Sequence, residues 1–386
     1  MNEKGLPKTL VLQQLMSRLR EDFTYDSGQI LGSMCTKPLE LATQIYTTCL
    51  EKNLGDPGLF PATVKLEKEA IQLLGSLLSN PNACGHFVSG GTEANITALW
   101  AARNLSKEKR NEVIVPASAH YSFDKAANLL GLELIRVKPN ERFQVDTAAV
   151  KREITSNTLA IVGIAGTTDL GIVDPIPELS EIAVAHELFL HVDAAFGGFV
   201  LPFFKELGYA NLDFDFKLSG VCSITVDPHK MGLAPIPAGG ILFRNEEIMK
   251  SVSVEVPYLA GGNTVQSTII GTRSGASAVA VWALLTHLGR EGYRAVVKRC
   301  MDLTWKLAEA IENMEEVSLV TKPVMNIVGI KSNGIDVHLL AQKLRERGRA
   351  VSVFPNHIRV AVMPHVRLVH VQSFLKDLKN IVKEIT

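Results

Sequence analysis

The segment Ser223–Gly232, S-I-T-V-D-P-H-K-M-G, places a lysine just after a predicted buried strand. Residues 223–226 are rich in β-branched side chains, which favour a strand, and Asp227-Pro228 ends it. Burial of Lys230 at such a strand end would lower the pKa of its amine and make it a nucleophile towards a carbonyl carbon. Because most lysines are solvated and unreactive, this hypothesis needs support from the rest of the chain.

A second segment whose residues could take part in binding or catalysis is 89–95, S-G-G-T-E-A-N. It follows a predicted strand at His86–Val88 and precedes a helix that we expect to run to Arg103. The backbone N–H groups and the dipole at the start of a helix favour an anion, and Thr92 adds a hydroxyl donor. The pattern is neither G-x-G-x-x-G nor a Walker loop, so it predicts a phosphate site rather than a nucleotide site. A plain tight turn explains the glycines equally well.

The elements that must position these segments are apolar strands alternating with helices. The predicted strands are 86–88, 113–115, 134–137, 159–164, 189–192, 223–226 and 239–243. Continuous apolar strands separated by helices predict a mostly parallel sheet covered on both faces, whose site lies at the carboxyl ends of the strands. Five polar residues follow predicted strands, namely Thr92, His120, Thr168, Asp193 and Lys230. This convergence favours a functional role for the lysine.

A lysine able to form a Schiff base, a carboxylate at another strand end and a phosphate cradle are what a pyridoxal phosphate enzyme needs. The cofactor withdraws electrons while its ring nitrogen is protonated, and a buried Asp193 would keep the proton there. Ala194 and Ala195 are small enough for a flat ring to lie against the strand, and His120 could stack on its other face. The sequence thus predicts pyridoxal phosphate as the cofactor.

Length and hydrophobic pattern predict three parts: an N-terminal helical segment (1–50), a large cofactor-binding domain (51–289) and a smaller C-terminal α+β domain (290–386). The last contains predicted strands at 317–321, 327–331 and 358–363.

The composition limits which partners and which cellular location we expect. The 386 residues include 40 basic and 40 acidic side chains, so no basic excess indicates nucleic-acid binding. Five cysteines without a C-x-x-C pair favour a reducing, cytoplasmic location over a disulfide framework. We expect no membrane span, since the longest apolar stretches are short and rich in Gly and Pro. We expect no signal peptide, since residues 1–10 carry Glu3, Lys4 and Lys8 and lack a continuous apolar core. No metal ion is expected.

Taken together, the segments S-G-G-T-E-A-N (89–95), S-A-H-Y-S-F (118–123), A-G-T-T (165–168), H-V-D-A-A-F-G-G (191–198) and D-P-H-K-M-G (227–232) resemble the group II pyridoxal phosphate decarboxylases. The resemblance implies an α/β protein of PLP fold type I, the aspartate aminotransferase-like fold, with a large mostly parallel-sheet domain and a smaller α+β domain. Segments 32–35, 53–61 and 358–365 resemble the archaeal L-tyrosine/L-aspartate decarboxylase branch. That branch makes tyramine for methanofuran or β-alanine for coenzyme A.

The resemblance also implies roles for individual residues. Lys230 would hold the cofactor aldehyde, Asp193 would pair with the ring nitrogen, and His120 would stack on the ring. The implied cofactor-binding set is Lys230, Asp193, His120, Gly91, Thr92, Thr168, Ala195, Asp227, His229 and Thr272. Thr272 lies in G-T-R-S-G (271–275), which matches a segment that reaches the phosphate from a neighbouring subunit, so a homodimer with shared active sites is expected.

Two further residues would act on the substrate. Arg359 matches the arginine that receives the α-carboxylate of the amino acid, and its place in an apolar strand disfavours a surface role, because burial without a partner is costly. Tyr258 lies in a predicted mobile lid, 251–262, and matches the tyrosine that delivers a proton to the α-carbon after carbon dioxide leaves. His120 is the alternative proton donor. Gly261-Gly262 gives the lid additional freedom.

Other enzymes share parts of this pattern. A cysteine desulfurase or C–S lyase needs a mobile cysteine, whereas Cys300, the last in the chain, lies in a predicted helix. A sphingosine-phosphate type of lyase usually carries a membrane anchor. A catalytically inactive cofactor-binding homologue is the third alternative, and the combined presence of Lys230, Asp193, His120 and Tyr258 argues against it. Between substrates, the moderate charge content of 21% favours a mesophilic methanogen and hence tyrosine over aspartate.

Overall fold

The computed structural model describes residues 1, 3–106 and 109–385; the parts of the three predicted domains at positions 2, 107–108 and 386 lie outside the described residues. Within this range the large sheet has seven strands, in the spatial order β1-β7-β6-β5-β4-β2-β3. The strands are β1 Cys84–Val88, β2 Glu112–Pro116, β3 Glu133–Val137, β4 Thr158–Ile164, β5 Phe189–Asp193, β6 Val221–Val226 and β7 Gly239–Phe243.

The directions of these strands bring the carboxyl ends of five of them to one edge of the sheet. Neighbouring strands from β6 to β3 are parallel, and β7 is antiparallel to both β6 and β1. Consequently β1, β2, β4, β5 and β6 all end at the same edge of the sheet. Every residue of β4 and β5 is buried, as expected for central strands covered on both faces. The predicted mostly parallel sheet is confirmed.

Helices connect and cover the strands. They are α1 Lys8–Arg18, α2 Glu40–Thr48, α3 Pro61–Leu77, α4 Gly91–Leu105, α5 Ser122–Leu130, α6 Thr147–Glu153, α7 Ile176–Ala185, α8 Glu246–Lys250, α9 Gly275–Glu312, α10 Val337–Glu346 and α11 Leu368–Ile385. Both α4 and α7 pack on β4 and β5. The sequence predicts that Asp146 caps a helix at 147–154, and this is confirmed, because Asp146 Oδ1 accepts from the N–H groups of Ala148 and Ala149.

The C-terminal part forms a separate antiparallel sheet in the order β10-β11-β13-β12. Its strands are β10 Val317–Leu319, β11 Ile327–Ser332, β12 Ser352–Phe354 and β13 His357–Ala361. A second apolar cluster, which includes Leu307, Val328, Leu340 and Phe374, lies between this sheet and α9, α10 and α11. The fold class predicted from the sequence, a large sheet followed by a smaller α+β unit, is confirmed. The boundaries at residues 50 and 289 remain predictions.

Two elements differ from the sequence-based expectation. The predicted lid, 251–262, includes the first strand of a two-stranded hairpin, β8 Val254–Val256, and most of the connecting loop with Tyr258; the second strand, β9 Thr264–Gln266, follows the lid. The apolar pattern predicts a long helix over Tyr293–Met314. In the structure this helix, α9, begins earlier, at Gly275, and is interrupted at Gly289, whose φ of 52° is not helical. Neither feature has a strong pattern, since strands of three residues carry almost no alternation and glycine tolerates a positive φ at little cost.

None of the helices in the described ranges combines the length and the apolar character that a membrane span requires.

Candidate active site

A cavity of about 350 Å³ lies at the edge of the large sheet where β1, β2, β4, β5 and β6 end. Its volume falls in the range of small-molecule sites. The predicted site residues that line it are Gly91, Thr92, His120, Thr168, Asp193, Ala195, Asp227, His229 and Lys230. The structure therefore brings together nine of the twelve residues that the sequence singled out. Three others, Tyr258, Thr272 and Arg359, do not line this cavity.

Lys230 follows β6 and points its amine at a carboxylate. Its Nζ lies 3.1 Å from Asp227 Oδ2, and one-fifth of the lysine side chain is exposed. Burial favours the neutral amine, but the carboxylates of Asp227 and Asp193 outweigh it and raise the pKa of Lys230 above its ordinary value. The sequence-based expectation of a lowered pKa for Lys230 is therefore wrong for the chain without cofactor. It rested on burial alone, whereas the two neighbouring carboxylates have the larger effect.

The turn between β1 and α4 forms a cradle with no room for side chains. A Cβ atom on Gly91 would lie 2.9 Å from Asp227 Oδ2 and 3.3 Å from Ala195 Cβ, so this position requires glycine. Glu93 keeps the turn closed, since its Oε2 accepts from the backbone N–H and the hydroxyl of Ser89. The open N–H groups at the start of a fifteen-residue helix, together with Thr92, suit an anion such as phosphate.

His229 lies beside this cradle. The N–H of Ala238 donates to His229 Nδ1 over 3.3 Å, so in the neutral ring Nε2 carries the hydrogen. Burial lowers the pKa of His229 despite the nearby Asp227, whose Oδ2 is 3.7 Å from Nε2. A neutral histidine with an N–H near the cradle is a suitable donor to a phosphate.

Asp193, the last residue of β5, is nearly buried at 7% exposure. Its two oxygens each accept one hydrogen bond: Oδ1 from the N–H of Ala195 (3.0 Å) and Oδ2 from Asn95 Nδ2 (2.9 Å). Asp193 and Lys230 thus contribute to one cavity from adjacent parallel strands. His120 lines the same cavity from the loop after β2, and burial lowers the pKa of its ring although Asp193 acts in the opposite direction.

Arg359 lies in β13 behind Thr168. It is 5% exposed, so the alternative of a surface arginine is wrong. Its guanidinium donates to the carbonyls of Thr168 and Gly32 and to Ser352 Oγ, and its Nε has no hydrogen-bond partner among the described residues. Burial lowers the pKa of Arg359 to about 10 despite Asp169, which leaves the group charged at neutral pH.

The remaining two predicted residues lie on the surface of this chain. Tyr258 is 83% exposed in the loop between β8 and β9. Thr272 is also exposed, in the loop before α9. The single chain therefore does not place either side chain in its own cavity.

Several lining residues were not assigned a role from the sequence. Met34, Ser118, Gly166, Phe196 and Asn95 line the cavity as well. Asn95 belongs to the motif S-G-G-T-E-A-N, but only the tertiary structure shows that its amide reaches Asp193.

The fold and the site together show to which structural class of proteins this chain belongs. The chain superimposes on the sphingosine-1-phosphate lyase of Burkholderia pseudomallei with a TM-score of 0.91 and 30% identity, covering 99% of this chain and 92% of that one. This architecture is PLP fold type I. The lysine, the buried carboxylate and the anion cradle fit the aldehyde, the ring nitrogen and the phosphate of pyridoxal phosphate.

Comparison of sequences narrows the class to a family. Residues 34–332 match the model of the pyridoxal-dependent decarboxylase conserved domain. An "L-aspartate/L-glutamate decarboxylase" of Pyrococcus horikoshii is 51% identical over 377 residues, which is 98% of each chain. A "Probable L-tyrosine/L-aspartate decarboxylase" of Methanothermobacter thermautotrophicus is 51% identical over 360 residues, 93% of this chain and 98% of that one. This chain belongs to the family of pyridoxal-dependent decarboxylases, so it is a pyridoxal phosphate-dependent carboxy-lyase.

This assignment sets the desulfurase alternative aside. Cys300 is 1% exposed inside α9, and burial raises the pKa of its thiol to about 12, so its thiol is neither accessible nor readily ionised.

Proposed function

We propose that this enzyme removes the α-carboxyl group of L-aspartate to form β-alanine and carbon dioxide, and that L-tyrosine is a second substrate. The observation that carries the proposal is one cavity that holds Lys230, Asp193 and the cradle at Gly91, with a buried cation, Arg359, behind Thr168. L-Aspartate occurs in the names of both archaeal relatives, whereas tyrosine occurs only in that of the methanogen. We therefore propose aspartate as the preferred substrate, although the charge content of the sequence favoured tyrosine.

Each group of the site has a role in this reaction. Bound pyridoxal phosphate supplies an electron sink for the electron pair left on the α-carbon when carbon dioxide departs. Lys230 would hold the cofactor aldehyde, Asp193 would keep a proton on the ring nitrogen, and His120 and Ala195 would pack against the ring. The cofactor-binding set is completed by Gly91, Thr92, Thr168, Asp227, His229 and, from a neighbouring subunit, Thr272.

Arg359 receives the substrate α-carboxylate. The described part of the chain offers its guanidinium only neutral acceptors at hydrogen-bond distance, two carbonyls and a hydroxyl. Asp169 lies close enough to favour the charged form of Arg359, but no ion pair to it is formed among the described residues. A buried charge without an ion-pair partner is costly; removing one partner of a buried pair typically costs about 3–5 kcal/mol. An anionic substrate group removes this cost when it binds. Fixing that carboxylate also fixes which bond of the α-carbon breaks, which is an effect of orientation.

The active enzyme is a homodimer whose two sites are shared. Tyr258 and Thr272 are exposed and do not line the cavity of their own chain. An apolar groove of about 580 Å³, lined by Trp100, Leu129 and Val254 among others, lies beside the same hairpin. Apolar surface of this kind is covered when chains associate. In the dimer Tyr258 reaches a site and delivers the proton to the α-carbon, with His120 as the alternative donor.

Both proposed products are precursors in the biosynthesis of archaeal cofactors. β-Alanine supplies coenzyme A biosynthesis and tyramine supplies methanofuran biosynthesis; the two relatives are archaeal proteins. We place the enzyme in the cytoplasm of an archaeon, acting on free amino acids and without a nucleic-acid or membrane partner.

A substrate panel tests the proposal. Holoenzyme is incubated with L-aspartate, L-tyrosine, L-glutamate and L-cysteate, and carbon dioxide and the amine formed are measured. β-Alanine should form fastest and tyramine second. If tyramine forms and β-alanine does not, tyrosine and not aspartate is the substrate. If no substrate releases carbon dioxide, the proposal is overturned.

Two variants test the assigned roles. Lys230→Ala should lose turnover and the visible absorption of the bound cofactor; an active, yellow variant would refute the role of the lysine. Arg359→Met should raise KM about 10- to 100-fold, the amount expected from a lost charged hydrogen bond. Arg152→Met, at a side chain that is 68% exposed, is the matched control and should leave KM unchanged.

A further inference from the structure

The carboxylate of Asp193 is held by an amide from a different part of the chain. Asn95 Nδ2 donates to Asp193 Oδ2 over 2.9 Å, and the same nitrogen donates to Ser122 Oγ over 2.9 Å. On its other side, Asn95 Oδ1 accepts from Thr225 Oγ1 at 2.7 Å and lies 3.0 Å from His191 Nε2. Asn95 is only 1% exposed; Ser122, Thr225 and His191 are fully buried, and Asp193 is 7% exposed.

The chemistry of these groups fixes the direction of every hydrogen bond. The oxygens of an ionised carboxylate can only accept, so the nitrogen of the Asn95 amide must face Asp193 and its oxygen must face His191. His191 then carries its hydrogen on Nε2, and its Nδ1 accepts from Ser223 Oγ, 2.8 Å away. Burial lowers the pKa of His191 to about 4 although Asp193 raises it, which agrees with a neutral ring. The chain of donors therefore runs from Ser223 through His191 and Asn95 to Asp193.

The same helix forms the anion cradle. Helix α4 begins at Gly91 in the cradle, and Asn95 follows one turn later. Four residues of α-helix advance about 6 Å along the axis. A rigid helix thus links the cradle at its first turn to Asp193 through a single side chain.

We propose that Asn95 is a positioning residue that fixes the Asp193 carboxylate relative to the phosphate cradle, with His191 and Thr225 holding its amide in the required orientation. The inference rests on the proposed function of Asp193 and Gly91 in cofactor binding. It assigns to α4 the task of setting the separation between the two groups that hold opposite ends of the cofactor. Asn95 acts through Asp193 and is not a catalytic residue.

The test uses the binding of pyridoxal phosphate to the apoenzyme of the full chain. Asn95→Ala should weaken binding about 10- to 100-fold, because a hydrogen bond to a charged group is lost. The visible circular dichroism of the bound cofactor, which depends on the orientation of its ring in the pocket, should change even at saturation. Asn95→Asp keeps the size of the side chain but removes the donor, and should weaken binding at least as much.

Thr97→Val is the matched control on the same helix. Thr97 is fully buried and its hydroxyl donates to the carbonyl of Glu93, away from Asp193. This variant should keep the affinity within about twofold and the wild-type dichroism, whatever it does to the denaturation midpoint of the apoenzyme. Such a result separates positioning from a general loss of packing in α4.

The outcomes are distinct. If the wild-type apoenzyme does not bind pyridoxal phosphate, the proposed function of the site fails. If it binds, but both Asn95 variants match it in affinity and dichroism, the positioning role is overturned. Equal losses in Thr97→Val and Asn95→Ala would also overturn it. If Asn95→Ala does not fold, the isosteric Asn95→Asp decides the question.

Discussion

Glu67→Gln is a substitution whose effect on stability follows directly from the contacts of one buried carboxylate. Glu67 lies in α3 and is 5% exposed. Its oxygens accept from Arg273 Nη1 at 2.6 Å, from Arg273 Nη2 at 3.3 Å and from the N–H of Phe87 at 3.0 Å. Arg273 also donates to the carbonyl of Phe87. The carboxylate thereby joins α3, the end of β1 before the cradle, and the loop that carries Thr272.

The size of the effect can be worked from the proton affinity of this group. Burial alone would raise the pKa of Glu67, but the Arg273 guanidinium, assisted by His86, outweighs burial and lowers it from 4.5 to about 2. Since a tenfold change in proton affinity corresponds to about 1.4 kcal/mol, the ionised carboxylate contributes about 3 kcal/mol to the free energy of unfolding. This agrees with about 3–5 kcal/mol for breaking a buried ion pair by removing one partner.

The pH dependence has a definite sign. The pKa is lower in the folded chain than in the unfolded one, so the stabilisation is fully present above pH 4.5 and is lost as the pH falls towards 2. Urea denaturation at pH 7 should therefore show Glu67→Gln to be less stable by about 3 kcal/mol, and the difference should shrink below pH 4.5.

Glu206→Gln is the matched control. Glu206 pairs with Arg290 and Arg294, but its side chain is 29% exposed, and pairs of this kind contribute at most about 1 kcal/mol. A loss below about 1 kcal/mol in Glu67→Gln, or a loss that is the same at pH 7 and pH 3, would refute the reasoning.

Three further predictions concern the cradle, the lid and a buried thiol. Gly91→Ala places a methyl group 2.9 Å from Asp227 Oδ2 and should lower the affinity of the apoenzyme for pyridoxal phosphate; unchanged affinity in a cofactor titration would contradict the tight cradle. Tyr258→Phe should bind substrate but lose most decarboxylation or divert to transamination, and an unchanged amine yield would remove Tyr258 as the proton donor. Cys300, buried and with a thiol pKa raised to about 12, should resist a thiol reagent at pH 8 until the chain is denatured, whereas the partly exposed Cys49 should react in the native enzyme; labelling of native Cys300 would show that α9 opens.

Much of the site could be predicted because parallel strands bring their carboxyl ends to one edge. Thr92, His120, Thr168, Asp193 and Lys230 each follow a predicted strand, and the structure gathers all five around one cavity. Their positions depended only on recognising strands and their order along the chain. The fold class followed from the same alternation of apolar strands and helices.

Features that depend on distances between segments were not predicted. The raised pKa of Lys230 required its contact with Asp227 to be known. The burial of Arg359 was expected from its apolar strand, but its hydrogen bond to the carbonyl of Gly32 was not, because it joins residues more than 300 positions apart. The hairpin at Tyr258 was missed because strands of three residues have too few positions to show a period of two.

The sequence by itself determined the types of residue at the strand ends, the glycine turn and therefore the cofactor class, since these are local patterns. Only the tertiary structure decided which charges face Lys230, and that Asn95 holds Asp193 from 98 positions away. The reason is physical: side-chain type is written residue by residue, whereas pKa values and hydrogen bonds depend on atoms a few ångströms apart, which the packing of the sheet brings together.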